Sequence, residues 1–448
     1  MADGVGQYSY YYTLVQYFVI LGNLGFSTYG QIQIARVSDD IDKRSQTFWE
    51  IFLLRLGAFC FSSLLYLTLC KILEAEILML ILFGVMISGA LDISWLLFGM
   101  DNFKSVSLRN ILVKCISIAG IFLFVKSKND TPVYTFILTA STLFGSIVIW
   151  IDIKDIIVKP LIKGLRFRQH LKPAIAFFLP NIATTIYTMA DKTMIGLITR
   201  SDAQNGYYEQ AHKIQQILIQ FLLSIGIVYK SQMARLFEIK DNIRIHENIL
   251  KAMKVVLLLS FPICFGLIAV SRDLIGCFLG EGYLQCIQLL QVFALLLIII
   301  SVSNCMSNMY LIVTDKQKMF QKGTYIGAIV NITCNTILIP NYGALGAAIA
   351  SVVAEATILM VFYYYSKDYF KWTDYKSNII RYLSASAVMI ALIKIEEGYL
   401  TPYKVSSLLI EVLAGAAVYV FTLLILKDDT FLGVLEQAKK MLTNHSKR

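Results

Sequence analysis

Three charged residues stand inside apolar runs where a membrane helix would have to bury them. They are Arg55 in FWEIFLLRLGAFCF, Asp92 in ISGALDISWLLF and Lys114 in NILVKCISIAG. An ionisable group in hydrocarbon costs about 2.5–3.5 kcal/mol on insertion scales, so each is held by a partner or kept for a use. Arg55 lies about seven residues, roughly 10 Å, from the basic end of its run. Lys114 lies at a similar depth and Asp92 about eight residues in from the same side, so the three can meet at one level. Two cations beside one carboxylate suit an anion such as a pyrophosphate, with Asp92 holding one base in place. The alternative is that Arg55 and Lys114 snorkel to the interface while Asp92 neutralises whichever stays buried.

A second polar set runs down one side of 208–229, where Glu209, Lys213, Gln216 and Gln220 recur at helical spacing. Such a stripe is costly against lipid unless it lines water or joins another helix. Asp191 and Lys192 lie at similar depth on the preceding run. Neighbours in sequence point apart, so Asp191 is a partner for Lys213 rather than for Lys192. Glu355 stands near the middle of 343–366, the costliest depth. It is either an ion-coupling site, as Asp191 is also a candidate to be, or a protonated acid bonded to another helix. The i, i+4 amide pairs Asn304/Asn308 and Asn331/Asn335 suit sugar hydroxyls or interhelical bonds. Pro180 and Pro262 are expected to kink their helices.

The elements that position these groups follow from composition. Of 448 residues, 57% are hydrophobic and 16% charged, with a mean hydropathy of +0.65. That fits a polytopic membrane protein, and the sequence divides into about thirteen apolar runs of near-bilayer length. Solid runs rather than alternating ones imply helices, which satisfy their own backbone groups; the expected fold class is all-α. A net charge of +10 does not imply nucleic-acid binding, because the basic residues fall in short loops between the runs. Two such loops dominate: 151–172 with Lys154, Lys159, Lys163, Arg166, Arg168 and Lys172, and 230–254 with Lys230, Arg235, Lys240, Arg244, Lys251 and Lys254. By the positive-inside rule this set is cytoplasmic, which puts the N-terminus outside and the C-terminal tail inside.

Eight cysteines are scattered without a C-x-x-C, and His170, His212, His246 and His445 have no metal-ligand spacing; no cofactor is expected. No nucleophile, carboxylate pair, P-loop or large outer loop stands out, so the expectation is a non-enzyme.

The chain opens MADGVGQYSYYYTLVQYFVI, and Gly4, Gly6 and the tyrosines read as a turn feeding an interfacial aromatic belt. VGQYSYYYTLVQYFVIL matches NGYYEQAHKIQQILIQF at an offset of 200, placing Gly6 on Gly206, Tyr8 on Tyr208 and Gln16 on Gln216. Ser9, Thr13 and Gln16 share one helical face, as do their counterparts Glu209, Lys213 and Gln216. Two similar bundles follow. In the second, the turn is preceded by the run 171–198; the equivalent first helix of the first bundle is expected to be missing. The expected layout is an N-terminal lobe over 1–150, a basic cytoplasmic linker over 151–172 and a C-terminal lobe over 173–366. Two additional helices over 367–426 and a cytoplasmic tail over 427–448 complete it; VLEQAKKMLTNHSKR reads as an amphipathic end.

GVGQYSYYYTLVQYFVILGNLGFSTYGQIQIAR, LDISWLLFGMDNFK, FLPNIATTIYTMADKTMIGLI, NGYYEQAHKI and NYGALGAAIASVVAE, in that order, resemble the polysaccharide-transport family. These are the Wzx-type flippases of the multidrug/oligosaccharidyl-lipid/polysaccharide exporter superfamily. The resemblance implies two six-helix lobes about a central cavity, often with two extra helices, in a bacterial cytoplasmic (inner) membrane. It implies flipping of undecaprenyl-pyrophosphate-linked oligosaccharide for O-antigen or capsule, with a polysaccharide polymerase and a chain-length regulator as partners. Coupling to a proton or sodium gradient is part of that expectation. Arg55, Asp92, Lys114, Lys213, Gln216, Gln220 and Gln16 are then the candidate cavity residues. A peptidoglycan-precursor flippase and a multidrug exporter remain open. From another class, so does a membrane glycan polymerase.

Overall fold

The computed structural model describes residues 2–74, 76–127, 129–153, 156–158, 165–396 and 401–436, without the side chains at 152, 176–177, 179–188, 227–228 and 231. Lys154, Lys159, Lys163, the side chain of Pro180 and residues 437–448 of the tail therefore lie outside it. All regular structure among the described residues is helical. By contact the chain forms two compact units, one of 3–196 with 201–206 and one of 197–200 with 207 onward.

The first unit contains α1 (Ala2–Asn23), α2 (Phe26–Arg36), α3 (Ile41–Ile72), α4 (Ile77–Leu91), α5 (Ser94–Gly99), α6 (Phe103–Phe124), α7 (Thr131–Val148) and α8 (Arg168–Thr199). The first turn of α9 (Asp202–Glu238), through Gly206, also belongs to the first unit; the second contains the rest of α9, α10 (Asn242–Phe278), α11 (Cys286–Met306), α12 (Gln317–Tyr342), α13 (Ala344–Ser366), α14 (Lys376–Glu396) and α15 (Val405–Ile425). Ten segments among the described residues are long and apolar enough to cross a membrane: α3, α4 with α5, α6, α7 and α10 to α15. The chain is an all-helical, polytopic membrane protein. Of the thirteen expected runs, that on α1 falls short of that measure, in keeping with its tyrosines and amides; those on α8 and α9 include side chains outside the described residues.

In the first unit the Asp40 carboxylate caps α3, accepting from the Asp42 and Lys43 amides at 3.1 Å each. The Lys43 amide and ammonium hold the Asp40 carboxyl below the usual range. An aromatic cluster fixes one end of the unit: Phe48 stacks on Trp95 at 5.5 Å, and Phe52 meets Trp150 edge-on at 5.0 Å. Tyr66, Leu82, Met86 and Val15 form a second core among α1, α3 and α4.

The turn expected at Gly4 and Gly6 is not there; both lie inside α1. Gly6 serves close approach instead. A Cβ on it would fall 1.6 Å from the Asp202 carbonyl oxygen and 2.6 Å from the Gly206 amide nitrogen. The two glycines that the repeat equates therefore sit against each other, and the missing side chains let α1 and the start of α9 touch backbone to backbone.

In the second unit α12 and α13 form a hairpin about Gly343, whose φ of 56° suits glycine. Gly346 then packs on the Leu338 carbonyl. Pro262 lies inside α10, where it has no N–H to offer the carbonyl of Leu258, four residues back. Tyr419 of α15 donates its hydroxyl to that carbonyl at 2.9 Å. One of the two C-terminal helices thus completes the hydrogen bonding of the proline-bearing helix.

Candidate functional site

Arg55 is set into α3 with 3% of its surface exposed. It faces the place where α4 stops, because Asp92 and Ile93 leave helical geometry. A helix end leaves carbonyls without intrahelical partners and carries partial negative charge. Side chains take up these carbonyls. Arg55 Nη2 donates to the Gly89 oxygen at 2.6 Å, Nη1 to the Asp92 oxygen, and Trp150 Nε1 to the Leu91 oxygen at 2.9 Å. The guanidinium also lies 5.3 Å from the centre of the Phe59 ring.

The Asp92 carboxylate is bound by a different base. Arg109 Nη1, from α6, donates to Asp92 Oδ1 at 3.1 Å. Its Nη2 reaches Ser94 Oγ at 3.0 Å and Asn110 Oδ1 at 2.9 Å. Ser94 donates both its amide and its hydroxyl to Asp92. Two guanidiniums therefore flank one aspartate, one on its backbone and one on its side chain, and the Nε of each has no hydrogen-bond partner among the described residues. Lys114 does not join them. It lies on the exposed side of α6, with no hydrogen bond or ion pair among the described residues. Arg55 and Asp92 meet as expected, but through a carbonyl, and Arg109 supplies the second cation.

On α9, Lys213 pairs with Glu209 at 3.1 Å and is 46% exposed. Gln216 Nε2 lies 3.3 Å from both His212 Nε2 and Gln215 Oε1, and Gln220 is exposed. The two charges of the stripe are paired along the helix. Gln16 is half-buried on α1, and Asp191 is buried on α8. Glu355 is half-buried on α13 and has interactions of its own. Asn335 donates to Asn331 at 3.1 Å along α12, with both side chains buried. Asn304 faces Gly226 of α9, where a Cβ would come within 2.5 Å of its Oδ1.

Sequence reasoning missed two groups. Arg109 sits only six residues into α6 and reads as an interfacial base. Glu50 and His170 are far apart in the chain yet in contact, with Nε2 2.6 Å from Oε2. The one signal for the latter was a carboxylate in the apolar run FWEIFLLR.

Residues 2–229 match the family described as polysaccharide biosynthesis protein. The chain belongs to that family. A proposed O-antigen transporter of Shigella dysenteriae is 26% identical to it over 289 residues, 61% of this chain and 68% of the relative. Among solved structures, the lipid II flippase MurJ in an inward closed conformation superposes with a TM-score of 0.72 at 18% identity, covering 95% of each chain. An inward-facing multidrug resistance MATE family transporter of the MOP superfamily gives 0.62 at 13% identity, covering 82% of this chain and 92% of that one. At such identities the likeness is one of fold. The segment matched by the family contains Arg55, Asp92, Arg109 and the polar residues Glu209, Lys213, Gln216 and Gln220 of α9.

Proposed function

We propose that this polysaccharide biosynthesis family member is a flippase, moving undecaprenyl-pyrophosphate-linked oligosaccharide across the bacterial cytoplasmic membrane by alternating access. The observation that carries this reading is the pair of guanidiniums against a single carboxylate inside the spans of the first unit. Their formal charges leave an excess of one cation, which favours an anionic headgroup and disfavours the cationic cargo of a drug exporter. Arg109 and Arg55, each with an Nε free to donate, meet the pyrophosphate. Lys213, Gln216, Gln220 and Gln16 offer charge and amides to the sugar and its linkage. Lys114, on the outside of α6, guides the headgroup rather than gripping it.

The same proposal counts α1, α8 and α9 as spans, for thirteen in all, with the basic loops on the cytoplasmic side. Asp191 and Glu355 are the acids proposed to couple transport to an ion gradient, and a polymerase with its chain-length regulator the partners that receive the product. The test is complementation of a strain lacking its O-antigen flippase. Surface polysaccharide is expected to return with the wild-type chain and to be lost with R55Q/R109Q at equal protein level. Restoration by the double variant would overturn the role of the arginines. Rescue of a strain lacking its lipid II flippase alone would move the cargo to the peptidoglycan precursor.

A further inference from the structure

Among the described residues of the first unit, Glu50 is the most fully enclosed carboxylate, with 1% of its surface exposed. Four donors converge on it. Oε1 accepts from Gln46 Nε2 at 2.9 Å and from the Arg166 amide at 2.8 Å. Oε2 accepts from Gln169 Nε2 at 3.0 Å and from His170 Nε2 at 2.6 Å. Three of these donors come from 166–170, so this carboxylate on α3 is the anchor for the start of α8. The anion site around Asp92 uses none of them.

The geometry assigns the hydrogens. An ionised carboxylate only accepts, so His170 carries a hydrogen on Nε2. Its Nδ1 lies 2.8 Å from the Tyr29 hydroxyl, which can donate or accept. The buried ring can therefore hold one proton or two with no heavy atom moving. With one, the Tyr29 O–H donates to Nδ1. With two, Nδ1–H donates to Tyr29 Oη, and the contact with Glu50 becomes an ion pair.

The surrounding elements supply mostly cations. Arg36 ends α2 and acts electrostatically on Tyr29. Arg44 of α3 is held by the carbonyls of Ser38 and Ile156. Arg166, Arg168 and Lys172 are exposed on the segment entering α8. Glu50 is the carboxylate in hydrogen-bond contact with the ring.

We propose that Glu50 and His170 form a proton-binding site, in which the second proton on His170 locks the start of α8 onto α3. The imidazole is the side chain whose charge changes between about pH 5 and 8. Docking is therefore tight when the ring is doubly protonated and loosens as the pH rises and Nδ1 gives up its proton. The loosened segment keeps the Nε2–H hydrogen bond from the neutral ring to the Glu50 carboxylate, so it opens locally rather than unfolding.

The test is electron paramagnetic resonance of the full-length chain in lipid nanodiscs. Its free cysteines are replaced, and a nitroxide is attached through R168C, an exposed position. From about pH 5.5 to 8.5 the mobile component of the wild-type spectrum is expected to at least double. H170Q should show the mobile spectrum at every pH, and so should E50Q. A wild-type spectrum that does not change over this range, or an H170Q spectrum that keeps the wild-type response, would overturn the proposal. The experiment contains no cargo, so its failure is separate from any failure of the flippase reading.

Discussion

Arg109 reaches the Asp92 carboxylate at 3.1 Å, whereas Arg55, buried beside the same residue, takes its backbone carbonyl. The two bases are therefore not interchangeable. Removing Arg109 strips a carboxylate of its counter-ion, while Lys114 pairs with nothing among the described residues. R109Q is expected to lower stability by about 1–2 kcal/mol, less than for a fully buried pair because Asp92 is 36% exposed. K114Q should leave stability within about 0.5 kcal/mol. Thermal unfolding in detergent checks both, and equal losses would contradict the assignment.

The contact of Gly6 with Asp202 and Gly206 leaves no space for a methyl group. G6A is expected to destabilise by about 1–3 kcal/mol through forced backbone movement. G57A is the matched control, since a Cβ there meets nothing within 4 Å; it should be neutral or stabilise by up to about 1 kcal/mol. The difference in thermal midpoint between the two variants is the measurement. A G6A chain as stable as G57A would show that α1 and α9 do not approach at these glycines.

Tyr419 should matter to α10 more than its position on a C-terminal helix suggests. Y419F leaves the Leu258 carbonyl beside Pro262 without its donor, a loss of about 1–3 kcal/mol for a buried acceptor. Hydrogen exchange should rise first in α10 around Pro262. A rise confined to α15 would argue against the coupling.

Asp202 at the start of α9 titrates above the usual aspartate range, because burial and the charges of Glu76 and Asp3 disfavour its ionised form. A carboxyl whose folded value is raised binds its proton more tightly in the folded state. Its ionisation therefore removes stability as the pH rises from about 3.9 through the raised value. D202N is expected to raise the thermal midpoint at neutral pH and to lose that advantage in acid. An advantage that is the same at both pH values would mean the acid contributes no strain.

The helices were legible because bilayer thickness sets the length of an apolar run. Arg55 stood out because its depth in such a run can be counted along the chain. Direction around the helix axis cannot be counted in the same way, and so Lys114 was placed beside Arg55 when it lies on the exposed side of α6. Arg109, nearer the end of its helix, was passed over although it faces inward. Gly4 and Gly6 look like a turn by soluble-protein habits, whereas between membrane helices a glycine marks close approach. The Glu50–His170 contact joins residues 120 apart; a carboxylate in an apolar run marks Glu50, but nothing local names its partner.

The most direct measurement is translocation by the purified chain in proteoliposomes, using a pyrophosphate-linked oligosaccharide lipid and a neutral glycolipid with the same sugar. Exposure of the glycan to an added lectin reports arrival in the outer leaflet. The charged lipid is expected to cross at least tenfold faster than the neutral one, a difference of about 1.4 kcal/mol in barrier. R55Q/R109Q should abolish that preference. Equal rates for the two lipids in the wild-type chain, or a preference that survives the double substitution, would contradict an anionic cargo read by these arginines.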